Sequence, residues 1–339
     1  MAGCIARRHR TTLKDIAYKA GVSEATVSKV VNGKTDVSEQ TRARVESIMA
    51  ELSYFKYPAT GPSPKLVEIA FNHLDSEWDM DILQGAIKAA QEEKVRLILS
   101  QFSTLEEFAD EWMEEVAARR TLGAIAVFLK PSEDLAKRLT SRNVPCVFID
   151  PWGDPASSIM SVQVDNWSGG LLATRHLLEL GHRRIATITG PDSAICANAR
   201  LGGYQTALME AGVTPDPQLV RHGDFHKECG ELYATELLQL PKRPTAIFAQ
   251  SDSIATGVYT AAHNLGLEIP RDLSVVGFDD SRTAVFLYPE LTTVRQPTKQ
   301  MAETAIQMIL DTRSGNPPKD RIVLSTSLII RKSTAQPKQ

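Results

Sequence analysis

Leu13, Ile16, Ala17 and Ala20 recur at i, i+3, i+4 and i+7, the spacing of one helix face. Thr12 stands before them with Asp15 three residues on, a capping pair for the positive end of a helix dipole. Gly21 supplies a tight turn, because glycine takes left-handed angles without strain. Ser23 then opens a second apolar stripe, Val27 with Val30 or Val31, which Asn32-Gly33 closes. Ser38 opens a third, with Val45, Ile48, Met49 and Leu52 on its inner face. Three helices with a short turn between the first two predict an all-α helix-turn-helix head.

Beyond residue 65 the pattern changes. Apolar, β-branched runs alternate with amphipathic helical stretches: LVEIAF (66–71), RLILSQF (96–102), AIAVFL (124–129), PCVFID (145–150), RIATITG (184–190), AIFAQSD (246–252) and SVVGFDD (274–280). Such runs read as buried parallel strands with helical crossovers. The series is too long for one open sheet and predicts two doubly wound lobes. In such sheets ligands bind beyond the carboxyl ends of the strands, and Asn72, Asp150, Asp252 and Asp279 stand there.

Charge divides along the same line. The net charge is −3, but residues 1–60 hold ten Lys/Arg against six Asp/Glu, or +4, which leaves −7 for the rest. A basic head on an acidic body predicts that the head meets a polyanion. The four cysteines lie far apart, without disulfide or zinc spacing, and point to a reducing compartment. MAGCIARRHR lacks a signal-peptide core, and no run of membrane-spanning length occurs; the expected location is the cytoplasm, with no membrane partner.

On the second helix Glu24, Ala25, Ser28 and Lys29 point outward, with Thr26 at the flank. A carboxylate can accept from cytosine N4, an alanine methyl can meet a thymine methyl, and a lysine can reach guanine O6 or N7. The hydroxyls of Thr12, Ser23, Thr26 and Ser28 suit phosphate oxygens, and Asn32 completes the candidate DNA-binding set. A solvated helical hairpin is the plain alternative, but A-G-V-S-x-x-T-V-S-x-V-x-N-G is a much more particular order.

T-L-K-D-I-A-x-x-A-G-V-S-x-x-T-V-S-K-V-V-N-G resembles the head of the LacI/GalR family of bacterial transcription regulators. The likeness runs on through DNWSGGLLATRHLLELGHRRIATITG (165–190), RLGGY (200–204), IPRDLSVVGFDD (269–280) and LTTVRQP (291–297). It implies a homodimer on a pseudo-palindromic double-stranded operator, with Glu24, Ala25 and Lys29 reading bases. The implied core is α/β, two-lobed and periplasmic-binding-protein-like, with three crossings between lobes. The expected division is a head at 1–57, a linker at 58–65, a core at 66–331 and a tail at 332–339. Lobe 1 is expected at about 66–164 and 294–323, and lobe 2 at about 165–293 and 324–331.

The join departs from the family pattern. Where the family continues Y-x-P-N-x-x-A-R-x-L into a hinge helix with a wedging leucine, this chain reads SYFKYPATGPSPKLVEIAF. Pro58, Pro62 and Pro64 with Gly61 argue against a helix there and for a semi-rigid, extended spacer.

For the effector, Arg200 and Asp279 match family positions that grip and accept hydroxyls, and Phe225 matches an aromatic against the ligand. Ser251, Asp252 and Asp150 end neighbouring strands; Asn72, Trp78 and Phe128 complete the candidate set, and Cys196 lines the site or is a buried inert thiol. Core packing for the aromatics, and an ion pair between Arg200 and Asp279, are the competing structural roles. His176 and His182 lack metal-ligand spacing, TITGPDS lacks the ending of a phosphate loop, and no nucleophile elbow occurs, so neither a cofactor nor catalysis is expected. The expected function is a repressor released by a sugar inducer; the alternative is a nucleobase-sensing regulator that binds DNA with a co-repressor. A secreted binding protein would lack the head.

Overall fold

The computed structural model describes residues 12–31, 34, 36–52, 65–71, 74–102, 112, 115, 116, 118, 119, 121–128, 138, 141–153, 159–316 and 320–338. Asn32, Asn72 and the linker up to Pro64 lie outside them. The chain divides into two units, Met1–Ser63 and Pro64–Gln339.

In the first unit, α1 (Leu13–Ala20), α2 (Glu24–Val31) and α3 (Glu39–Glu51) close on Ile16, Ala17, Ala20, Val27, Val30 and Val45. Leu13, Val31, Ile48, Met49 and Leu52 pack partly buried at the edge of this small core. Thr12 and Asp15 form a reciprocal capping box, and Gly21 takes left-handed angles at φ 64°. Ser23 Oγ accepts from Thr26 N at 3.1 Å and so caps α2.

The second unit holds two six-stranded sheets. The first runs β11 (Arg321–Leu324), β5 (Met160–Val164), β4 (Cys146–Ile149), β3 (Gly123–Val127), β1 (Leu66–Phe71), β2 (Arg96–Gln101), every pairing parallel. The second runs β12 (Ser327–Ile329), β10 (Thr292–Arg295), β9 (Ser274–Asp279), β8 (Ala246–Ala249), β6 (Ile185–Thr189), β7 (Val220–His222). Only β12 is antiparallel, against β10. The central strands are buried on both faces, which is why they read as continuous apolar runs rather than alternating ones. Helices α4 (Glu77–Glu92) and α9 (Thr298–Arg313) cover one face of the first sheet. Helices α5 (Asn166–Glu179) and α6 (Ile195–Glu210) cover one face of the second, and α7 (Lys227–Leu238) and α8 (Asp252–Asn264) the other.

The chain passes between the sheets three times: after β5, after β10 and between β11 and β12. The second passage comes later than expected, because Thr293 and Val294 pair with Gly277 and Phe278 of β9. The expected tail at 332–339 is, as far as the described residue 338, an integral part of the second lobe. Ser333 is fully buried, with its Oγ donating to Val275 O at 2.6 Å and accepting from Thr292 N at 2.8 Å. His182 bonds Thr245 Oγ1 and Ala335 O, and His176 bonds Thr334 Oγ1. These two histidines fasten the C-terminal segment, and burial lowers the pKa of each.

Candidate effector and operator sites

The carboxyl ends of both sheets open on one cavity of about 490 Å³ within the second unit. Phe128 follows β3, Asp150 follows β4, Asp279 ends β9 and Gln296 follows β10. Of the seven described non-glycine residues with positive φ, four line this cavity: Phe128 (50°), Asp150 (44°), Phe225 (72°) and Asp279 (121°). Backbone held in such sparsely populated angles gathers at binding sites, where the surrounding fold over-determines it.

Arg200, on α6, is buried to 3% exposure. Its Nε donates to Asn166 Oδ1 at 2.8 Å and its NH1 to Gln250 O at 2.6 Å. The guanidinium lies 3.7 Å from the centre of the Phe278 ring and 5.6 Å from that of Phe225. This fixed posture needs α5 and α6 in close contact: a Cβ at Gly170 would sit 2.2 Å from Arg200 O. Among the described residues the Arg200 NH2 donates no hydrogen bond to protein, and Arg200 lines the cavity.

Two carboxylates share the cavity with it. Burial raises the pKa of Asp279 to about 7, against the opposing pull of Arg200 and of Gln296, whose Nε2 donates to Asp279 Oδ1 at 2.7 Å. Burial likewise raises Asp150, which accepts from Asn166 Nδ2 at 3.5 Å. No ion pair within 4.0 Å joins Arg200 to either carboxylate among the described residues, so the structural ion pair with Asp279 is not formed.

Four rings wall the space. Phe128 is central, meeting Trp152 at 4.7 Å, Trp78 at 6.1 Å and Phe225 at 6.2 Å between centroids, always edge to face. Trp78 is half-buried against the first-lobe core, and its Nε1 is buried without a hydrogen-bond partner among the described residues. Phe225 lies at the edge of the second-lobe core and reaches the same space.

Of the expected effector residues, Trp78, Phe128, Asp150, Arg200, Phe225, Ser251 and Asp279 line the cavity, as does Cys196, whose thiol burial pushes up to about 12. Ser251 Oγ is committed to the protein, donating to Phe225 O and accepting from Ile254 N as the cap of α8. Asp252 is a correction. It does not line the cavity, because its oxygens accept from Thr293 Oγ1 at 2.6 Å and from Ser281 N at 2.7 Å. It supports the floor beneath Asp279 instead, and burial together with the charge of Asp279 holds its pKa well above the ordinary carboxylate value. Trp152 and Gln296 line the cavity without having been expected there, and Asn166, which does not line it, bonds both Arg200 and Asp150. Trp152 stands in a loop at a strand's carboxyl end, and Gln296 is the first polar residue after β10, signals of the kind that singled out Asp150.

On the head, Glu24, Ala25 and Lys29 are exposed along α2, with Thr26 and Ser28 half-buried beside them. Thr12 is exposed before α1 and Ser23 before α2, so these hydroxyls and the exposed side chains of α2 gather around one short helix. Asn32 lies outside the described residues.

Residues 12–56 match the family described as bacterial regulatory proteins, lacI family, and residues 174–334 match a periplasmic binding protein-like domain. The HTH-type transcriptional repressor PurR of Edwardsiella ictaluri is 33% identical over 337 residues, covering 96% of this chain and 97% of its own length. The chain belongs to the lacI family. It is therefore a DNA-binding transcription regulator built as a helix-turn-helix head and a two-lobed α/β core. PurR of Proteus mirabilis is similar to the same degree, 33% over 338 residues, covering 96% of this chain and 97% of its own. Among solved structures, a complex of the transcriptional regulator CelR with cellobiose superposes with a TM-score of 0.73 at 32% identity. The lac repressor dimer bound to operator and the anti-inducer ONPF gives 0.74 at 30%. Each covers 96% of this chain and 100% of its own. Among the described residues no helix is long and apolar enough to cross a membrane.

Proposed function

We propose that this chain is a homodimeric repressor whose α2 reads an operator half-site and whose cavity takes a neutral sugar as inducer. Glu24, Ala25 and Lys29 are the base readers, and the hydroxyls of Thr12, Ser23, Thr26 and Ser28 hold phosphates, with Asn32 completing the DNA-binding set. The sugar reading is carried by one observation: the Asp150 and Asp279 carboxylates and the Arg200 fork stand inside a cage of four aromatic rings. Ring faces suit the C–H face of a sugar, and charged partners make strong, directed hydrogen bonds to its hydroxyls. The three pairs that Phe128 makes meet at 61–65°, so Phe128 forms with none of its ring neighbours the parallel slot that would grip a flat base. The likeness to a regulator whose structure is a complex with cellobiose supports the same class.

The mechanism follows from where the cavity lies. Phe128 and Trp152 belong to the first lobe, Phe225 and Arg200 to the second. Thr283 of the second lobe donates from N and Oγ1 to the Glu77 carboxylate of the first, and Trp152 Nε1 donates to Ser193 Oγ. A ligand between these groups favours one arrangement of the lobes over another, and that difference in affinity is the whole of its leverage on operator binding.

A thermal-shift screen of monosaccharides, disaccharides and purines tests the reading. A true effector at a hundred times its Kd stabilises the core by about 2.7 kcal/mol. The same compound should lose that effect on Arg200→Lys, which keeps the charge but not the fork. A response to purines alone would replace the sugar reading with the nucleobase co-repressor.

A further inference from the structure

We propose that Asp36 is a positioning residue for DNA specificity: it aims Lys29 at a base edge and cancels that lysine's charge toward phosphate. This rests on α2 being the helix that meets the bases. Lys29 Nζ lies 2.6 Å from Asp36 Oδ2, although Asp36 stands beyond the end of α2, seven residues on.

The described parts of the loop that carries Asp36 are tied at both ends. Lys34 N donates to Lys29 O at 3.0 Å, and the Arg42 guanidinium of α3 donates to Lys34 O. Beyond Asp36, Ser38 Oγ accepts from Thr41 N at 3.3 Å at the start of α3. The carboxylate is thus presented by the helical framework. The two side chains remain 50% and 57% exposed, so the pair is open to a partner, and exposed pairs of this kind contribute little to stability.

The donor count suits guanine. An ammonium carries three N–H donors, and Asp36 takes one. Two remain, as many as guanine O6 and N7 accept on the major-groove edge. A lysine held in this way has given up part of its side-chain freedom before DNA arrives.

Charge works in the same direction. A free lysine on a recognition helix is drawn to any phosphate, which raises affinity for all sequences alike. Beside a carboxylate the pair is neutral as a unit and gains nothing from a phosphate. Lys29 in turn holds the Asp36 carboxyl below its ordinary pKa, so the pair stays intact at neutral pH.

The experiment uses the full-length protein and an operator selected from random DNA. Affinity for that operator and for a scrambled duplex is measured across a salt series for wild type, Lys29→Ala, Asp36→Asn, Asp36→Glu and Lys29→Ala/Asp36→Asn. Lys29→Ala should flatten the preference at one base pair of each half-site. Asp36→Asn should lower preference at that same pair at least tenfold, tighten binding to scrambled DNA and steepen its salt slope by about 0.9, one added phosphate contact. Asp36→Glu should restore both properties in part, and the double variant should show no further loss of preference beyond Lys29→Ala. If only Lys29→Ala alters the preference, Asp36 has no such role. If neither variant alters it, α2 is not the reading helix and the assignment falls with it.

Discussion

Asp279→Asn should stabilise the empty protein above neutral pH and at the same time weaken its response to effector. In the wild type, burial carries the Asp279 pKa from its ordinary 3.8 to about 7, even with Arg200 and Gln296 pulling it down. The folded state therefore holds the proton more tightly than the unfolded chain. This contribution to stability is fully present below 3.8 and is lost as pH rises through 7. Three pKa units at about 1.4 kcal/mol each set a ceiling of about 4 kcal/mol. Asparagine has the same shape and no proton to lose, and its Oδ1 can still accept from Gln296 Nε2. The variant should thus be more stable than wild type at pH 8 by up to that amount and nearly equal to it at pH 4.

The residual pH dependence should not vanish. Asp150 and Asp252 are also raised by burial, although Asp252 relaxes once the Asp279 charge beside it is gone. Effector affinity should move the other way. A hydrogen bond to an ionised group is worth about 1.5–3 kcal/mol, so its loss weakens binding roughly tenfold to a hundredfold. Urea denaturation from pH 4 to 8.5, with and without the effector, reads both effects. A variant less stable than wild type at pH 8, or with an unchanged pH slope, would refute the claim that burial dominates at Asp279.

Other consequences follow from single contacts. In Gly190→Ala the new Cβ would fall 2.0 Å from Phe225 Cζ, so the ring must turn; titration calorimetry should show effector affinity lowered more than tenfold, with operator binding kept. Thr12→Ala removes the hydroxyl half of the α1 capping box, leaving the backbone N–H of residue 12 on Asp15, and should cost about 1 kcal/mol, read as faster hydrogen exchange of α1 amides in the intact protein. The prolines at 58, 62 and 64 predict that operator affinity depends less on the central base pairs than on the half-sites, while half-site spacing still matters. A scan of central substitutions and one-base insertions checks this, and strong discrimination at the centre would count against it.

The head was legible down to its caps because its determinants are local. Thr12 with Asp15, Gly21, and Ser23 with Thr26 act within three or four residues, and the small core follows from helical spacing. The long central strands were legible for another reason: buried on both faces, they leave unbroken apolar runs. The strands that escaped notice lack that signal. β7, β11 and β12 are three or four residues long with exposed positions, β10 begins with two buried threonines, and the apolar residues of β5 are interrupted by Ser161 and Gln163.

The pair Asp252 and Asp279 marks where local reasoning ends. Both lie where an apolar strand stops, and both looked like acceptors for a ligand. Thr293 Oγ1 and Ser281 N, 41 and 29 residues further along the chain, decide between them by taking the oxygens of Asp252. Asp279 gives one oxygen to Gln296 and keeps the cavity in reach. The C-terminal segment teaches the same lesson from the other side. A polar stretch at a chain end reads as a free tail, yet Ser333 finds Val275 and Thr292 waiting with unmet backbone groups. A strand end can therefore be located from sequence, but whether its polar side chain is free to bind is a property of the partners that tertiary contact supplies. That is why the cavity's address could be read beforehand, while the division between a carboxylate that lines it and one taken up by Thr293 and Ser281 could not.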